Sequence, residues 1–245
     1  MPQIKTKGIV IKENQYGESN KMLSIFTREL GIIRASMYGA KSIKTGKSAV
    51  GQFLGYSEFQ LSEGKGGVYT VASGTLEEGF FSISEDIEKL SLAVYFSDLL
   101  LETVGFENCE DAVLSLFLNT LYAICYQGVD VKKAKAVFEL RLMSIVGYRP
   151  ILTKCAKCGN INNIVAFSGG DGGIICKNCF INGEKITKSV VDAMNYIISA
   201  NEKKIFSFTV SDEVQSVLGK ITEDYVLVQL DREFSSLEYF KRILI

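Results

Sequence analysis

The hydrophobic positions of the first eighty residues recur at short intervals, as they do in β-strands. β-Branched and aromatic residues fall in short runs that partly alternate with polar residues, and turn-forming residues separate the runs. Residues 16–19 and 62–67 are predicted turns, since they are rich in Gly and Ser. The pattern predicts strands over residues 6–12, 22–27, 32–38, 52–61 and 68–72.

From residue 82 onward the hydrophobic residues recur every three to four positions, which indicates α-helices. Ser82, followed three residues later by Glu85, forms a capping-box pattern that predicts a helix start. Gly147 and Pro150 end the third helix of this region. Helices are predicted over residues 87–104, 111–127, 130–145, 190–198, 214–228 and 236–244.

These two patterns predict an α+β protein with two domains. Five short strands in residues 1–80 fit a small closed barrel, for which the five-stranded OB-fold is the first candidate and an SH3-like barrel the alternative. Residues 81–245 form the predicted α-helical domain, into which a cysteine-rich segment at about residues 151–185 is inserted.

Four of the six cysteines fall in two pairs with the spacing of a zinc ribbon. Seventeen residues separate Cys155 and Cys158 from Cys176 and Cys179, and the Gly-rich part of this segment predicts a hairpin that brings the pairs together. Four thiolates leave no open coordination position, so the pattern predicts one structural Zn²⁺ with sulfurs about 2.3 Å from the ion.

Two disulfides are the alternative for the same cysteines. The amino terminus does not resemble a secretory signal, since its apolar run at residues 8–11 is short and flanked by lysines. A reducing compartment is therefore expected, in which two such cysteine pairs indicate a metal-binding site and not disulfides. Cys109 and Cys125 lie in apolar helical surroundings and are predicted to be core residues.

The absence of histidine excludes several classes of enzyme. The chain has no His, so Ser-His-Asp and Cys-His nucleophilic sites and His-ligated catalytic zinc sites are ruled out. Charge is uneven: residues 1–50 carry nine Lys or Arg against three Glu, a balance of +6 within a chain of net charge −1. This asymmetry suggests that the amino-terminal end meets a polyanion.

One basic segment is the candidate nucleic-acid contact. No acidic residue lies between Glu29 and Glu58, and glycines loosen the loop between them. Tyr38, Phe53 and Tyr56 flank the loop and could stack on unpaired bases. A solvated lysine loop over a core of inward-facing aromatics is the alternative. The positive residues of the segment are Arg34, Lys41, Lys44 and Lys47.

A series of fragments along the chain appears in a characteristic order before the two cysteine pairs: residues 8–11, 16–21, 26–31, 39–42, 138–142 and 147–148. In these fragments and their order, the chain resembles the bacterial RecO recombination mediators. The resemblance covers nearly the whole chain, and the order in which its fragments appear is specific. Lysines stand in the basic loop where relatives often carry arginines, so phosphate contacts here would be point charges.

The resemblance implies a cytoplasmic, nucleoid-associated DNA-repair protein that is not an enzyme. Such a protein binds single-stranded DNA, with double-stranded DNA as a second possible ligand, and anneals complementary strands. With RecR it helps to load RecA onto DNA covered by single-stranded DNA-binding protein. The alternative is a zinc-ribbon adaptor that binds proteins and not DNA. The third predicted helix carries the candidate partner contacts Lys132, Lys133, Lys135 and Arg141.

Overall fold

The first five strands close into a barrel, as predicted. The computed structural model describes residues 3–40, 47–105 and 111–244, apart from the side chain of Lys65. The strands follow the order β1-β2-β3-β5-β4, and β1 pairs with both β2 and β4 to close the ring. They are β1 (Gln3–Tyr16), β2 (Asn20–Thr27), β3 (Gly31–Met37), β4 (Tyr56–Glu63) and β5 (Val68–Glu78).

The strand boundaries differ from the prediction in two respects. β1 and β5 are longer than predicted, and β1 bends at a register shift between Val10 and Lys12. The predicted strand 52–61 begins only at Tyr56, because Leu54 has a left-handed backbone conformation (φ 64°) that a strand does not accommodate. A single-turn helix, α1 (Lys47–Val50), precedes this turn.

Alternate residues of the strands fill the barrel. On β3, Ile33 and Ala35 are buried while Arg34 between them is exposed, as the two-residue period of a strand requires. Burial of a large apolar side chain stabilises the fold by about 1.5–3 kcal/mol, so a one-residue slip in register would be costly. The buried cluster includes Val10, Leu23, Ile25, Ile33, Ala35, Met37, Phe59, Leu61 and Val71.

Two helices follow the barrel in the same compact unit. The chain divides into the units Met1–Leu114 and Ser115–Ile245. Helices α2 (Phe81–Ser84) and α3 (Ile87–Thr103) therefore belong to the unit that holds the barrel. The division into domains 1–80 and 81–245 stays a prediction from the sequence pattern.

The capping box predicted at Ser82 and Glu85 is wrong. Ser82 lies inside α2, and Glu85 lies just beyond its end. Asp86 instead caps α3, since its carboxylate accepts hydrogen bonds from the backbone N–H groups of Glu88 (3.0 Å) and Lys89 (3.2 Å). An Asp cap accepts hydrogen bonds from two backbone N–H groups that have no partner within the helix. Its negative charge also interacts favourably with the positive end of the helix dipole.

The second unit combines helices with a three-stranded sheet. Its sheet has the order β7-β6-β8, with β6 (Ile164–Ser168), β7 (Gly173–Cys176) and β8 (Glu184–Lys185). Among the described residues, no helix is both long and apolar enough to cross a membrane. The helices are α4 (Asp111–Tyr126), whose first turn lies in the first unit, α5 (Val131–Ile145), α6 (Lys188–Ser199), α7 (Asp212–Leu230) and α8 (Ser235–Ile243).

A largely buried network of ion pairs joins α5, α7 and α8. The Lys135 ammonium lies 2.9 Å from a carboxylate oxygen of Glu139 and 2.9 Å from one of Glu223. The Thr222 hydroxyl donates to Glu139 (2.7 Å), and Lys241 lies 2.9 Å from Glu223. Burial alone would raise the pKa of Glu223, but Lys135 and Lys241 outweigh it and hold that pKa below its usual value. Glu139 is fully buried, so Lys135 is needed to compensate its charge.

Replacing Lys135 by Met should therefore destabilise the helical unit strongly. Removing one partner of a buried ion pair costs about 3–5 kcal/mol, because the other charge stays buried without compensation. Lys132→Met is the matched control, since Lys132 is exposed one turn earlier on the same helix and its loss should cost less than about 0.5 kcal/mol. Urea unfolding midpoints of the two variants measure the difference. Equal stability would show that the buried pair contributes little.

Candidate functional site

The four paired cysteines meet at one point. Their sulfur atoms all lie within 4.8 Å of one another, and Sγ of Cys158 is 3.7 Å from Sγ of Cys176. A tetrahedral site with sulfurs about 2.3 Å from the ion has S–S edges of about 3.8 Å, whereas a disulfide needs about 2.05 Å. Cys155, Cys158, Cys176 and Cys179 are free thiols arranged so that they could hold one metal ion.

Backbone hydrogen bonds shape the two cysteine turns. The N–H of Gly159 donates to the carbonyl of Cys155 (2.9 Å), and the N–H of Cys179 donates to that of Cys176 (3.0 Å). Gly159 has φ 75°, a left-handed conformation that glycine adopts without strain. The β6–β7 hairpin pairs Ile164 with Cys176 and so returns the second cysteine pair to the first.

The cysteines differ in exposure and acidity. Cys155 and Cys176 are each 1% exposed, whereas Cys158 is exposed and Cys179 is half-buried. Backbone hydrogen bonds, foremost that from Cys176, lower the pKa of Cys155 to about 6. The hydrogen bond with Cys158, together with burial, raises the pKa of Cys179 to about 12. Because the thiolate is the form that binds metal, Cys155 is the readiest ligand of the cluster.

The cysteine-bearing hairpin packs on α7. The ring of Phe167 meets that of Tyr225 edge to face, with centroids 5.5 Å apart. The Tyr225 hydroxyl donates to the carbonyl of Tyr148 (3.0 Å), and the Gln229 amide donates to that of Gly169 (2.7 Å). The hairpin that carries the second cysteine pair is thus held against the helices of the second unit.

Cys109 and Cys125 are the cysteines outside the cluster. Cys109 lies outside the described residues. Cys125 lies on α4 and is half-buried, so its side chain is only partly in the core.

Three of the five residues expected at the nucleic-acid contact fall within the described ranges, and Lys41 and Lys44 lie outside them. Arg34 is exposed in the middle of β3. Tyr38 follows the end of β3 and is 55% exposed. The Lys47 ammonium donates to the Tyr38 carbonyl (3.2 Å), so Lys47 and Tyr38 lie together at one end of the barrel.

The register of β1, β2 and β3 defines an outward-facing surface, which we call the outer barrel face. Cross-strand partners lie on the same side of a sheet, so Lys12, Ser24 and Arg34 form one row, and Tyr16 lies beside Asn20. This face contains two cations and no acidic residue. Its members are Lys12, Asn14, Tyr16, Asn20, Met22, Ser24, Arg34 and Tyr38.

The prediction from sequence omits Lys12 and Tyr16 from this interface. Tyr16 is read there as part of a turn, whereas the structure places it at the end of β1, in ring contact with Tyr38. Gly17 is the signal that could have identified it. With φ 64°, Gly17 begins the turn and leaves Tyr16 paired with Asn20.

Tyr56 lies elsewhere on the barrel. It pairs with Ile9, far along β1 from Tyr16, and lines a charged pocket of about 390 Å³ with Lys7 and Arg28. Burial raises the pKa of Tyr56. Phe53 is half-buried in the turn after α1. Of the three aromatic residues predicted to flank the loop, Tyr38 lies on the outer barrel face, whereas Tyr56 does not.

The four cations expected to contact a partner on α5 have different surroundings. Lys132 is exposed. The Lys133 ammonium donates to the carbonyls of Phe206 (2.9 Å) and Phe208 (2.5 Å), and Lys135 lies in the buried ion network. The remaining cation, the half-buried Arg141, donates to the carbonyls of Ile197 (3.2 Å) and Ile198.

Lys132 also lines a cleft of about 730 Å³ between α5, α7 and α8. Leu227, Phe240 and Leu244 give the cleft an apolar part. The amide nitrogen of Gln215, which also lines it, is buried and has no hydrogen-bond partner among the described residues. The cleft therefore offers a donor, a cation and apolar surface to a ligand. Four carboxylates also line it, those of Asp130, Asp212, Glu223 and Asp224.

Comparison with known proteins identifies the family. Residues 1–80 match the model described as "Recombination protein O N terminal", and residues 84–238 match "Recombination protein O C terminal". The DNA repair protein RecO of Acetivibrio thermocellus is 35% identical over 99% of this chain and 98% of its own. Those of Alkaliphilus metalliredigens and Caldicellulosiruptor saccharolyticus are 33% and 31% identical, over 98% and 99% of this chain and 99% and 100% of their own. With a closed five-stranded barrel, a helical region and a four-cysteine cluster in this order, the chain belongs to the RecO family.

Proposed function

We propose that this protein is a DNA repair and recombination mediator that binds single-stranded DNA through its barrel. In this role it anneals complementary strands and, with RecR, helps to load RecA onto DNA covered by single-stranded DNA-binding protein. The observation that carries the proposal is the outer barrel face, which presents Lys12, Arg34 and exposed tyrosine without any acidic residue. Family membership supports the repair role.

The outer barrel face suits a single strand for electrostatic reasons. Five-stranded barrels of this type bind oligonucleotides on the face of strands 2 and 3. Lys12 and Arg34 stand at one end of the face, and Lys47 stands beside Tyr38 at the other. Cations at both ends can follow a phosphate backbone, and release of its counterions supplies much of the binding free energy.

Annealing follows from the same charges. Two complementary strands repel each other as polyanions, and bound lysine and arginine side chains reduce that repulsion. The contacts to phosphate carry no base information, so both strands can bind before they pair. The mediator thus needs no catalytic residue for this step.

The basic loop and Arg34 should set the salt dependence of DNA binding. Each phosphate contact on a single strand contributes about 0.7 to the log-log slope, so contacts from Arg34, Lys41, Lys44 and Lys47 predict a slope of roughly −3. Substitution of Lys41, Lys44 and Lys47 by Ala should bring the slope toward about −1. Fluorescence anisotropy of a labelled oligonucleotide at several salt concentrations measures it.

A triple substitution elsewhere controls for net charge. Lys203, Lys204 and Lys220 are exposed on the helical unit, and their change to Ala removes the same charge. The control should keep the wild-type slope. If the loop variant also keeps wild-type affinity and slope, the lysines are only solvated, and the alternative function, a protein adaptor without direct DNA contact, is favoured.

We also propose that the four-cysteine cluster holds one structural Zn²⁺. Four thiolates are the donor set of closed zinc sites, and the 3.7 Å separation of Cys158 and Cys176 fits a tetrahedral edge. Bound zinc would link the two cysteine turns. The hairpin would then keep its packing on α7, and the ion would have no part in chemistry.

Purified protein should contain one zinc per chain, and Cys155→Ser should lose it. Structural zinc binding is worth on the order of 10 kcal/mol, so the variant should unfold at least the hairpin and expose residues 151–185 to protease. Cys125→Ser is the matched control, because Cys125 lies outside the cluster and should leave the zinc content unchanged. Metal analysis with a thiol count checks both. Zinc-free protein with four reactive thiols would contradict the proposal.

Contacts with partner proteins are proposed for the helical unit. Of the cations predicted on α5, Lys132 is the exposed one, and it lines the cleft that also holds the buried Gln215 amide. A cation and an unpartnered donor favour a ligand with carboxylate and carbonyl oxygens. The acidic tail of single-stranded DNA-binding protein has this chemistry.

Lys132→Ala should weaken binding of a labelled acidic-tail peptide by up to about fivefold, since an exposed ion pair contributes about 0.2–1 kcal/mol. Lys203→Ala, at an exposed site that does not line the cleft, should bind the peptide as wild type does. Titration by fluorescence anisotropy at low salt compares the two. Equal affinity of both variants would remove Lys132 from the contact.

A further inference from the structure

Two tyrosines form an exposed aromatic pair at the rim of the barrel. The ring centroids of Tyr16 and Tyr38 are 6.4 Å apart, and their planes meet at 77°. Tyr16 is 36% exposed and Tyr38 is 55% exposed. In this edge-to-face geometry, Tyr16 supports Tyr38 from the side, and much of Tyr38 stays open to solvent.

The backbone around the pair is held by hydrogen bonds. The N–H of Gly39 donates to the Asn20 side chain (3.2 Å), and the N–H of Ala40 donates to the carbonyl of Ser19 (2.7 Å). These bonds tie the segment after β3 to the β1–β2 turn, whose first strand ends in Tyr16. The Lys47 ammonium lies on the Tyr38 carbonyl (3.2 Å). Tyr38 is thus oriented beside a cation before any ligand binds.

A second exposed tyrosine pair, on α4, differs from the barrel pair in the charges around it. Tyr122 and Tyr126 on α4 have centroids 5.0 Å apart and are each about half exposed. α4 contains no Lys or Arg, whereas Tyr38 is flanked by Lys47 and shares the outer barrel face with Arg34. Of these two pairs, the barrel pair is the one that combines an open aromatic ring with nearby cations.

We infer that Tyr38 stacks on an unpaired base, that Tyr16 positions its ring, and that this pair makes the barrel prefer single-stranded over double-stranded DNA. In a duplex the bases stack on each other, and only the phosphates remain accessible to the cations. In a single strand a base can leave its neighbours and cover an aromatic ring, which strengthens binding without reading sequence. The inference rests on the proposed binding of single-stranded DNA by the barrel.

The test compares the affinity of full-length protein for a labelled oligonucleotide with that for a duplex of the same length. Tyr38→Leu should weaken single-strand binding about tenfold and leave duplex binding within about twofold of wild type. Tyr16→Leu should weaken single-strand binding by a smaller factor, and Tyr16→Phe, which keeps the ring, should restore it. The salt slope should stay the same in all variants, since no charge is removed.

A base analogue next to the stacked position gives a second readout. The fluorescence of 2-aminopurine in the oligonucleotide should change on binding to wild type and to Tyr16→Phe, and should change less with Tyr38→Leu. Tyr126→Leu is the matched control, since it removes one ring of the other exposed pair and should bind both DNAs as wild type does.

The possible failures are distinct. If Tyr38→Leu loses single-strand and duplex affinity equally, or loses neither, the tyrosines do not select unpaired bases. If Tyr126→Leu shows the same loss as Tyr38→Leu, the effect is not specific to the barrel, and the inference falls. If wild-type protein does not bind single strands with a salt-dependent affinity, the proposed function itself fails, whatever the tyrosine variants do.

Discussion

The pairing of β1 with two neighbours is the constraint on which the barrel depends. β1 runs beside β2 along one edge and beside β4 along the other, so its register fixes the register of both. Because side chains alternate across a strand, burying Leu23 and Ala35 inside the barrel requires that Ser24 and Arg34 face outward. The register shift after Val10 turns Lys12 to the same outer side, where it pairs with Ser24. The composition of the outer face is therefore a consequence of how the core is filled.

The helical unit is organised by compensation of buried charge. Glu139 is fully buried, and Lys135 compensates it from one turn away on the same helix. Glu223 of α7 and Lys241 of α8 extend the compensation to two further helices. Such pairs specify which helices meet, because a helix shifted along its axis would leave a charge buried alone. The cysteine hairpin packs against the same α7, through Tyr225.

Features set by local chemistry could be predicted from the sequence. The cysteine spacing alone predicted a four-ligand cluster, because the two residues within each pair limit where the sulfurs can point. The barrel was predicted from alternation, and the third helix was predicted to begin at Asp130, the residue that caps α5 in the structure. The start of α3 was not predicted correctly. The capping-box pattern pointed to Ser82, whereas the structure has Asp86 as the cap of α3.

Features set by distant contacts could not be predicted. The role of Lys135 depends on Glu223, which lies on another helix far along the chain. The sequence therefore suggested that the lysines of α5 contact a partner, although Lys133 and Lys135 are directed to internal acceptors. The ring contact of Tyr16 with Tyr38, which lies two strands further along the chain, is likewise absent from the local sequence pattern.

The unequal exposure of the four cysteines would determine how quickly a bound ion exchanges. Cys155 and Cys176 are enclosed together with Ile175, whereas Cys158 faces solvent. A chelator can approach only from the open side, so the bond to Cys158 would break first while the two enclosed sulfurs still held the ion. Exchange would then proceed by stepwise ligand replacement, and its rate would depend on the concentration of the incoming chelator and not on unfolding of the hairpin.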